Sequence, residues 1–368
     1  MRVSFRKSAC LQVTLAGLAG LSPVLAQETG EELYHTACAA CHGGDGSGNS
    51  VSQLGFLDLV VPDFTDCDFA AREPDPDWYA VIHAGGPVRG FDQMMPSFGD
   101  ALAPEQIQAI LDHVRTQCTD DRWPRGEFNL PRALFTEKAY PEDEVVLTTW
   151  LEGGDRNTFI HEFLWEYRFG AQNQIEISLP FQVTDFGGEQ GREGGTGDLE
   201  IGLKRNLSYN MDTGNIFSVG AELIVPAGDD ALGFGEGTYK FEPYFAYGKL
   251  LPADSFFQMQ ALLEFPAESG LEDEAELRAL LGRTWTTGGP FGRAWTPMFE
   301  VIGSRDLGGG ADIQWDLVPQ FQVTLNTRQH VMANFGLRIP TEDEPGRETQ
   351  FVFYLLWDWF DGGVLEGW

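Results

Sequence analysis

Positive charge is scarce in this sequence: 24 Lys and Arg face 56 Asp and Glu across 368 residues, a formal net charge of −32. A chain this acidic repels phosphate backbones at ordinary salt, which argues against nucleic acid as a partner. Long apolar runs are also few. Beyond the first 26 residues no stretch approaches the ~20 apolar residues that a membrane-spanning helix needs. Any integration into a bilayer therefore has to come from a closed barrel of strands. Cysteine is sparse, with five in the whole chain. That excludes a disulfide-dense scaffold and makes each cysteine's position informative.

At the N-terminus, Arg2, Arg6 and Lys7 precede an apolar run from Cys10 to Leu25, and Val24-Leu25-Ala26 offers a peptidase site before Gln27. The pattern predicts a cleaved secretory signal over residues 1–26. Cys10 leaves with it. Cys38, Cys41, Cys67 and Cys118 remain, in an oxidising compartment where disulfides persist.

Cys38-Ala39-Ala40-Cys41-His42 has the C-x-x-C-H spacing, in which two thiols attach a haem covalently and the adjacent imidazole binds its iron. A competing reading is a redox cysteine pair beside an incidental histidine. Some fifty residues on, Phe91-Asp92-Gln93-Met94-Met95-Pro96-Ser97-Phe98-Gly99 supplies methionine on a turn-rich segment. Met95 is the candidate second axial ligand, because a residue before proline is held extended and can project its thioether from a loop. Met94 is the alternative distal ligand, and His83 would give a bis-histidine site of lower potential. Leu33, Tyr34 and Ala37 share one helical face, and Pro104 opens a second helix carrying Ile107, Ile110, Leu111 and Val114 at core spacing. These two helices are expected to cross. Cys67 and Cys118 bracket the second half of this region, which suggests a disulfide between them. Two separately buried thiols are the alternative.

Gly30, Leu33-Tyr34, Cys38 to Gly43, Asp45-Gly46-Ser47-Gly48, Met95 to Gly99 and the helix after Pro104 together resemble a class I mono-haem cytochrome c over residues 27–118. The resemblance implies an all-α domain holding one haem c through Cys38, Cys41, His42 and Met95. The family often carries Gly-Pro after its glycine-rich loop, and that carbonyl accepts the proximal histidine's other N–H. Here Ser50-Val51 stands in its place, and Val51 retains the carbonyl.

From Glu144 to Trp368 the helical period gives way to alternating segments separated by Gly, Asp, Asn and Pro clusters. Phe159, Phe163, Trp165, Tyr167 and Phe169 fall on one parity, with Glu162, Glu166 and Arg168 on the other. The same two-sidedness recurs at Ile175, Ile177, Leu179 and Phe181 against Glu176, Ser178 and Gln182, and through about twelve strands in all. Strands of about 10 residues repeated an even number of times suit an antiparallel transmembrane barrel, with a lipid-facing outside and a polar lumen. A soluble all-β fold is the competing reading. Pro243 and Pro319 fall inside proposed strands, where a closed barrel has no free edge to absorb a lost hydrogen bond.

This half resembles outer-membrane proteins associated with aromatic-compound degradation, and the whole chain resembles outer-membrane cytochrome-porin fusions. Residues 119–143, rich in proline and mixed charge, read as a linker, with a plug at the barrel mouth as the other reading. An even strand count puts both barrel termini on the side of the short turns, the periplasm. A twelve-strand backbone is roughly 24 Å across. A haem domain about 30 Å wide would not enter it. The expected function is an electron carrier rather than an enzyme, since no nucleophile, base or second cofactor motif accompanies a methionine-capped iron. Its partner is a redox protein or a small donor or acceptor admitted by the barrel; the alternative is a barrel that only anchors or conducts solute. Glu162, Glu166, Glu176, Glu200, Glu222, Glu242 and Glu264 would favour cations such as ferrous iron in the lumen, which leaves a ferrous-iron oxidase role open.

Overall fold

The computed structural model describes residues 28–49, 61–153, 157–188, 191–342 and 347–368. The expected signal segment and the Ser50-Val51 pair lie outside the described residues. No described helix is long and apolar enough to cross a membrane.

Residues 28–118 build a small helical unit around one apolar cluster. The helix Gly30–Ala37 buries Leu33 and Tyr34 against Ile107, Ile110, Leu111 and Val114 of the helix Pro104–Arg115. The two cross at Gly30, where a Cβ would lie 1.9 Å from the Ala109 carbonyl oxygen. Only glycine lets the backbones approach this closely. The helix Asp75–Ala84 is tied to the last helix by Arg115, whose Nε donates to Asp75 Oδ1 at 2.8 Å while its guanidinium lies 4.2 Å from the centre of the Trp78 ring. Cys67 and Cys118 are joined by a disulfide across 51 residues of sequence.

From Glu144 the chain forms fourteen strand segments in one antiparallel sheet. They are β1 (Glu144–Glu152), β2 (Thr158–Phe169), β3 (Asn173–Asp185), β4 (Arg192–Thr196), β5 (Leu199–Asn210), β6 (Asn215–Val225) and β7 (Lys240–Leu251). β8 (Ser255–Pro266), β9 (Glu274–Arg283), β10 (Trp285–Thr287), β11 (Arg293–Asp306), β12 (Gln314–Thr324), β13 (Val331–Pro340) and β14 (Gln350–Asp358) complete them. The short β4 and β10 extend the rims. The other twelve close on themselves, with β9 paired to β11 and β14 to β1. The two strand prolines are absorbed without a change of register. The β7–β8 ladder passes from Phe241↔Phe265 to Tyr244↔Leu262 and skips Pro243, and the β12–β13 ladder passes from Leu317↔Ile339 to Gln320↔Gly336 and skips Pro319.

The alternation sorts as its period requires. Leu147, Phe163, Leu179, Leu203, Leu223, Leu281, Phe335 and Leu355 point outward and are exposed, whereas Glu166, Glu176, Lys204, Gln258, Gln260, Glu300, Gln320 and Asn334 point inward and are buried. Exposed aromatics gather towards both rims: Tyr167, Phe169 and Trp285 at the end where β1 begins, Phe159, Phe181, Phe241 and Phe351 at the other.

The inward face of the wall is polar as expected, but the lumen is occupied. Residues 126–143, read as a linker, run inside the barrel and fill it. Their apolar side chains have inward-facing partners on the wall. Leu134 packs with Val146, Ile302, Val318, Val352 and Leu356, Phe128 and Tyr140 with Ile216 and Tyr244, and Leu130 and Ala133 with Phe256, Leu280 and Met298. The wall glycines make room: Gly220 lies opposite Tyr244 and Gly282 opposite Phe256, so each ring folds over a residue without a Cβ. Charge follows the same logic. Arg132 Nη1 donates to Glu144 Oε1 at 2.6 Å and Glu166 Oε2 at 2.8 Å, and its Nη2 donates to Glu137 Oε2 at 3.3 Å. Lys204 reaches Glu137 and the Lys138 carbonyl. Part of the acidic lumen set is thus neutralised by the inserted segment or the wall, Glu264 by Lys240 at 2.9 Å.

Replacing Cys67 and Cys118 together by serine should lower the stability of the helical unit by about 4 kcal/mol, the loop-closure value for a crosslink of this span. The midpoint of its thermal or denaturant unfolding measures this, and an unchanged midpoint would show that the crosslink contributes nothing. Arg132→Ala strands the buried Glu166 without its cation, leaves Glu144 to Lys138 alone, and should cost about 3–5 kcal/mol. The check is the barrel's denaturation midpoint in detergent, with partial recovery in Arg132→Lys.

Candidate functional site

The helix Gly30–Ala37 opens on a capping box: Thr29 Oγ1 accepts from the Glu32 amide at 3.2 Å and Glu32 Oε2 accepts from the Thr29 amide at 2.9 Å. At Cys38 the helix axis breaks into a single further turn, Ala39–His42. That turn carries Cys38, Cys41 and His42 together, with the His42 amide donating to the Cys38 carbonyl at 3.0 Å. Gly43, at φ 77°, stops it. The following loop doubles back: the Gly48 and Asn49 amides donate to the carbonyls of His42 and Cys41 at 2.9 Å, and the Asn49 side chain donates to the Ala40 carbonyl at 2.8 Å. The fully buried Tyr34 braces the turn from below, its hydroxyl donating to the Gly43 carbonyl at 2.8 Å.

Both Cys38 and Cys41 are free thiols. Burial pushes the Cys38 thiol up to about 11, with Cys41 as a lesser contributor. Burial pulls His42 down to about 4, so its imidazole is neutral and has a lone pair to give. The ring stacks on Phe64 at 4.9 Å between centroids, and its Nδ1 is buried with no hydrogen-bond partner among the described residues.

The Met95 loop is stapled to the helix Asp75–Ala84. The Met95 carbonyl accepts from the Gly86 amide at 3.0 Å, the His83 carbonyl accepts from the Ser97 hydroxyl at 2.7 Å and from the Gly99 amide at 2.9 Å, and the Phe98 amide donates to the Ile82 carbonyl. Met95 packs on the apolar cluster that Cys38, Trp78, Tyr79 and Phe98 also join. Met94, 43% exposed, faces away. His83 points elsewhere, its ring 5.2 Å from Phe291 on the β10–β11 connection and 5.8 Å from Tyr79. The structure therefore packs Cys38 and Met95 on one apolar cluster, sets His42 against it through Phe64 with Cys41 on the same turn, and leaves Met94 and His83 outside it. Two thiols, a neutral imidazole and a thioether around an apolar pocket are the donor set that a haem c requires.

This unit is docked on the barrel end where β1 begins. Arg89, 5% exposed, bonds Asp77 Oδ1 at 2.6 Å and the Phe291 carbonyl at 2.8 Å. Arg328, on the β12–β13 turn, donates to the Gly90 carbonyl at 3.1 Å and lies 4.5 Å from the centre of the Phe91 ring. Arg72 pairs with Asp143 of the inserted segment and stacks over Phe360 at 5.0 Å. Sequence reading missed these docking arginines, because nothing in their spacing distinguishes a domain contact from a solvated charge.

Residues 25–114 match the family described as cytochrome c oxidase, cbb3-type, subunit III. Among solved structures, an outer membrane channel from Pseudomonas putida F1 is similar at 16% identity and TM-score 0.44, over 62% of this chain and 99% of that one. LpxR from Salmonella typhimurium is similar at 8% identity and TM-score 0.38, over 58% of this chain and 99% of that one. The KdgM porin in complex with disordered oligogalacturonate is similar at 10% identity and TM-score 0.37, over 58% and 98% respectively. A comparison with curated proteins finds no match. The chain is thus a c-type cytochrome domain fused to a closed antiparallel barrel of twelve long strands.

Proposed function

We propose that this chain is a mono-haem electron carrier anchored in the outer membrane, its cytochrome domain held on the periplasmic side by a barrel that is itself closed. The observation that carries this reading is that Cys38 and Met95 pack on one apolar cluster, which His42 meets through Phe64, with Cys41 on the same turn. Cys38 and Cys41 would hold the haem covalently, and His42 and Met95 would supply donor atoms to its iron. Bound there, haem supplies a one-electron ferric/ferrous couple, and a methionine ligand raises its potential relative to a second histidine. The chain's own contribution is positional. Tyr34 fixes the attachment turn, Phe64 shields the imidazole from water, and the stapled loop holds the Met95 thioether in place.

Outward Leu and Phe between two aromatic belts support lipid contact. The turns at the docked end are short, residues 170–172, 211–214 and 252–254, while residues 186–198 and 226–239 make longer connections at the far end. Short turns are typical of a periplasmic rim, which supports the cytochrome domain's lying on that side. Hydrocarbon about 30 Å thick separates that domain from the outside, and residues 126–143 occupy the route through the barrel. That occupancy favours the barrel as anchor over the barrel as entry for a small donor. The redox partner is therefore expected in the periplasm.

Expression of the full chain with a cytochrome maturation system should give a membrane-bound, haem-stained band with low-spin visible absorption. Recovery of that band in the soluble periplasm would overturn the reading. Met95→Ala should lose the methionine–iron charge-transfer band and lower the midpoint potential, while Met94→Ala leaves both unchanged; the reverse would exchange their roles. In planar bilayers the intact chain should show no steady conductance, and deletion of residues 126–140 should open one. An open wild-type channel would restore the donor-entry reading.

A further inference from the structure

We propose that Glu142, Glu144 and Asp358 bind a hard divalent cation of the calcium type at the seam where the barrel closes. Glu144 is the first residue of β1 and Asp358 the last of β14, and the two are register partners across the closing ladder. Glu142 lies in the inserted segment, two residues before β1. One carboxylate oxygen from each lies within 4.8 Å of the others. All three are buried, at 1%, 0% and 7% exposure respectively.

Protein cations satisfy this trio unevenly. Both Glu144 oxygens are taken, Oε1 by Arg132 at 2.6 Å and Oε2 by Lys138 at 3.1 Å. Asp358 Oδ1 and Glu142 Oε2 have no partner among the described residues. Lys138 Nζ lies 2.9 Å from Glu142 Oε1 as a charge neighbour, and it also donates to Asn129 Oδ1 at 3.0 Å. Arg132 is shared with Glu137 and Glu166. Three buried carboxylates thus face one dedicated cation, and the excess negative charge sits on oxygens without partners.

A buried, unpaired carboxylate is strongly unfavourable, so the charge must be met by a proton or by a bound cation. A proton shared between Glu142 and Asp358 would cap the two unpartnered oxygens but would still leave two carboxylate charges to Lys138 and the shared Arg132. A cation does more, because calcium accepts about six to eight oxygens, mono- or bidentate, in flexible geometry. One carboxylate oxygen each from Glu142, Glu144 and Asp358 would supply its protein ligands. With neither nitrogen nor sulfur in the set, the softer transition metals are disfavoured. Such an ion ties the inserted segment to the first and the last strand at once, beside Asp143, where Arg72 docks the cytochrome domain. The site does not depend on haem binding, so it stands or falls separately from the electron-transfer reading.

The test uses the full-length chain in detergent, stripped with EDTA and dialysed. Adding calcium should raise the barrel's melting temperature by several degrees, as expected for a ligand specific to the folded state. Metal analysis after desalting should find calcium retained, and Mn²⁺ as a probe should give a bound EPR signal that calcium displaces. Glu142→Gln combined with Asp358→Asn should abolish the thermal response and the Mn²⁺ signal. Because that variant can fail to fold, the wild-type measurements are decisive. A wild-type chain that retains no metal and melts at the same temperature with calcium or EDTA would overturn the site and leave the carboxylates to share protons.

Discussion

A segment without regular secondary structure can occupy the inside of a barrel only if every backbone N–H and C=O it brings finds a partner, because the wall's own polar groups are already spent on the sheet. Inward side chains supply such partners along residues 126–143. Gln320 accepts from the Leu134 amide, Gln260 from the Glu137 amide and Gln174 from the Glu142 amide. In the other direction Gln258 donates to the Pro131 carbonyl, Arg278 to the Phe135 carbonyl and Tyr354 to the Arg132 carbonyl. The abundance of Gln on the lumen parity follows from this demand. An amide side chain offers both a donor and an acceptor, and so serves whichever backbone group happens to face it.

The same segment sets how the two halves meet. It leaves the disulfide-closed helical unit, crosses the barrel mouth, fills the lumen and continues directly into β1, so the cytochrome domain is tethered by a chain that is itself packed. Arg72, Arg89 and Arg328 then hold the domain against that mouth from three directions. In a chain with so few basic residues, arginine is concentrated at the docking face and in the lumen. It suits both places, because its planar fork bonds several acceptors at once and its face stacks on Phe360 or Phe91.

The residues proposed to bind haem were readable because their chemistry imposes local spacing. Two thiols and an imidazole on one helical turn need no tertiary information, and a methionine before proline in a turn-rich loop marks a projecting thioether. The strand parity was readable for the same reason, since a period of two is a local property that one residue's slip would destroy. What could not be read was where the linker goes. Phe128, Leu130, Leu134, Phe135 and Tyr140 are too apolar for a solvated connection, and that was the available signal. It was outweighed by proline and by charges that look solvated until their partners on distant strands are known.

Residue order alone dictates the attachment turn, the two-sided strands and an excess of acid, all of which arise from residues within a turn or a strand of one another. Folding in three dimensions was needed to establish that the lumen is filled, that Met95 rather than Met94 joins the cluster beside Cys38, and that Glu144 faces Asp358 across the closing seam. These depend on contacts between residues tens to hundreds of positions apart. Such contacts form only once the chain has folded and brought each group to its partner.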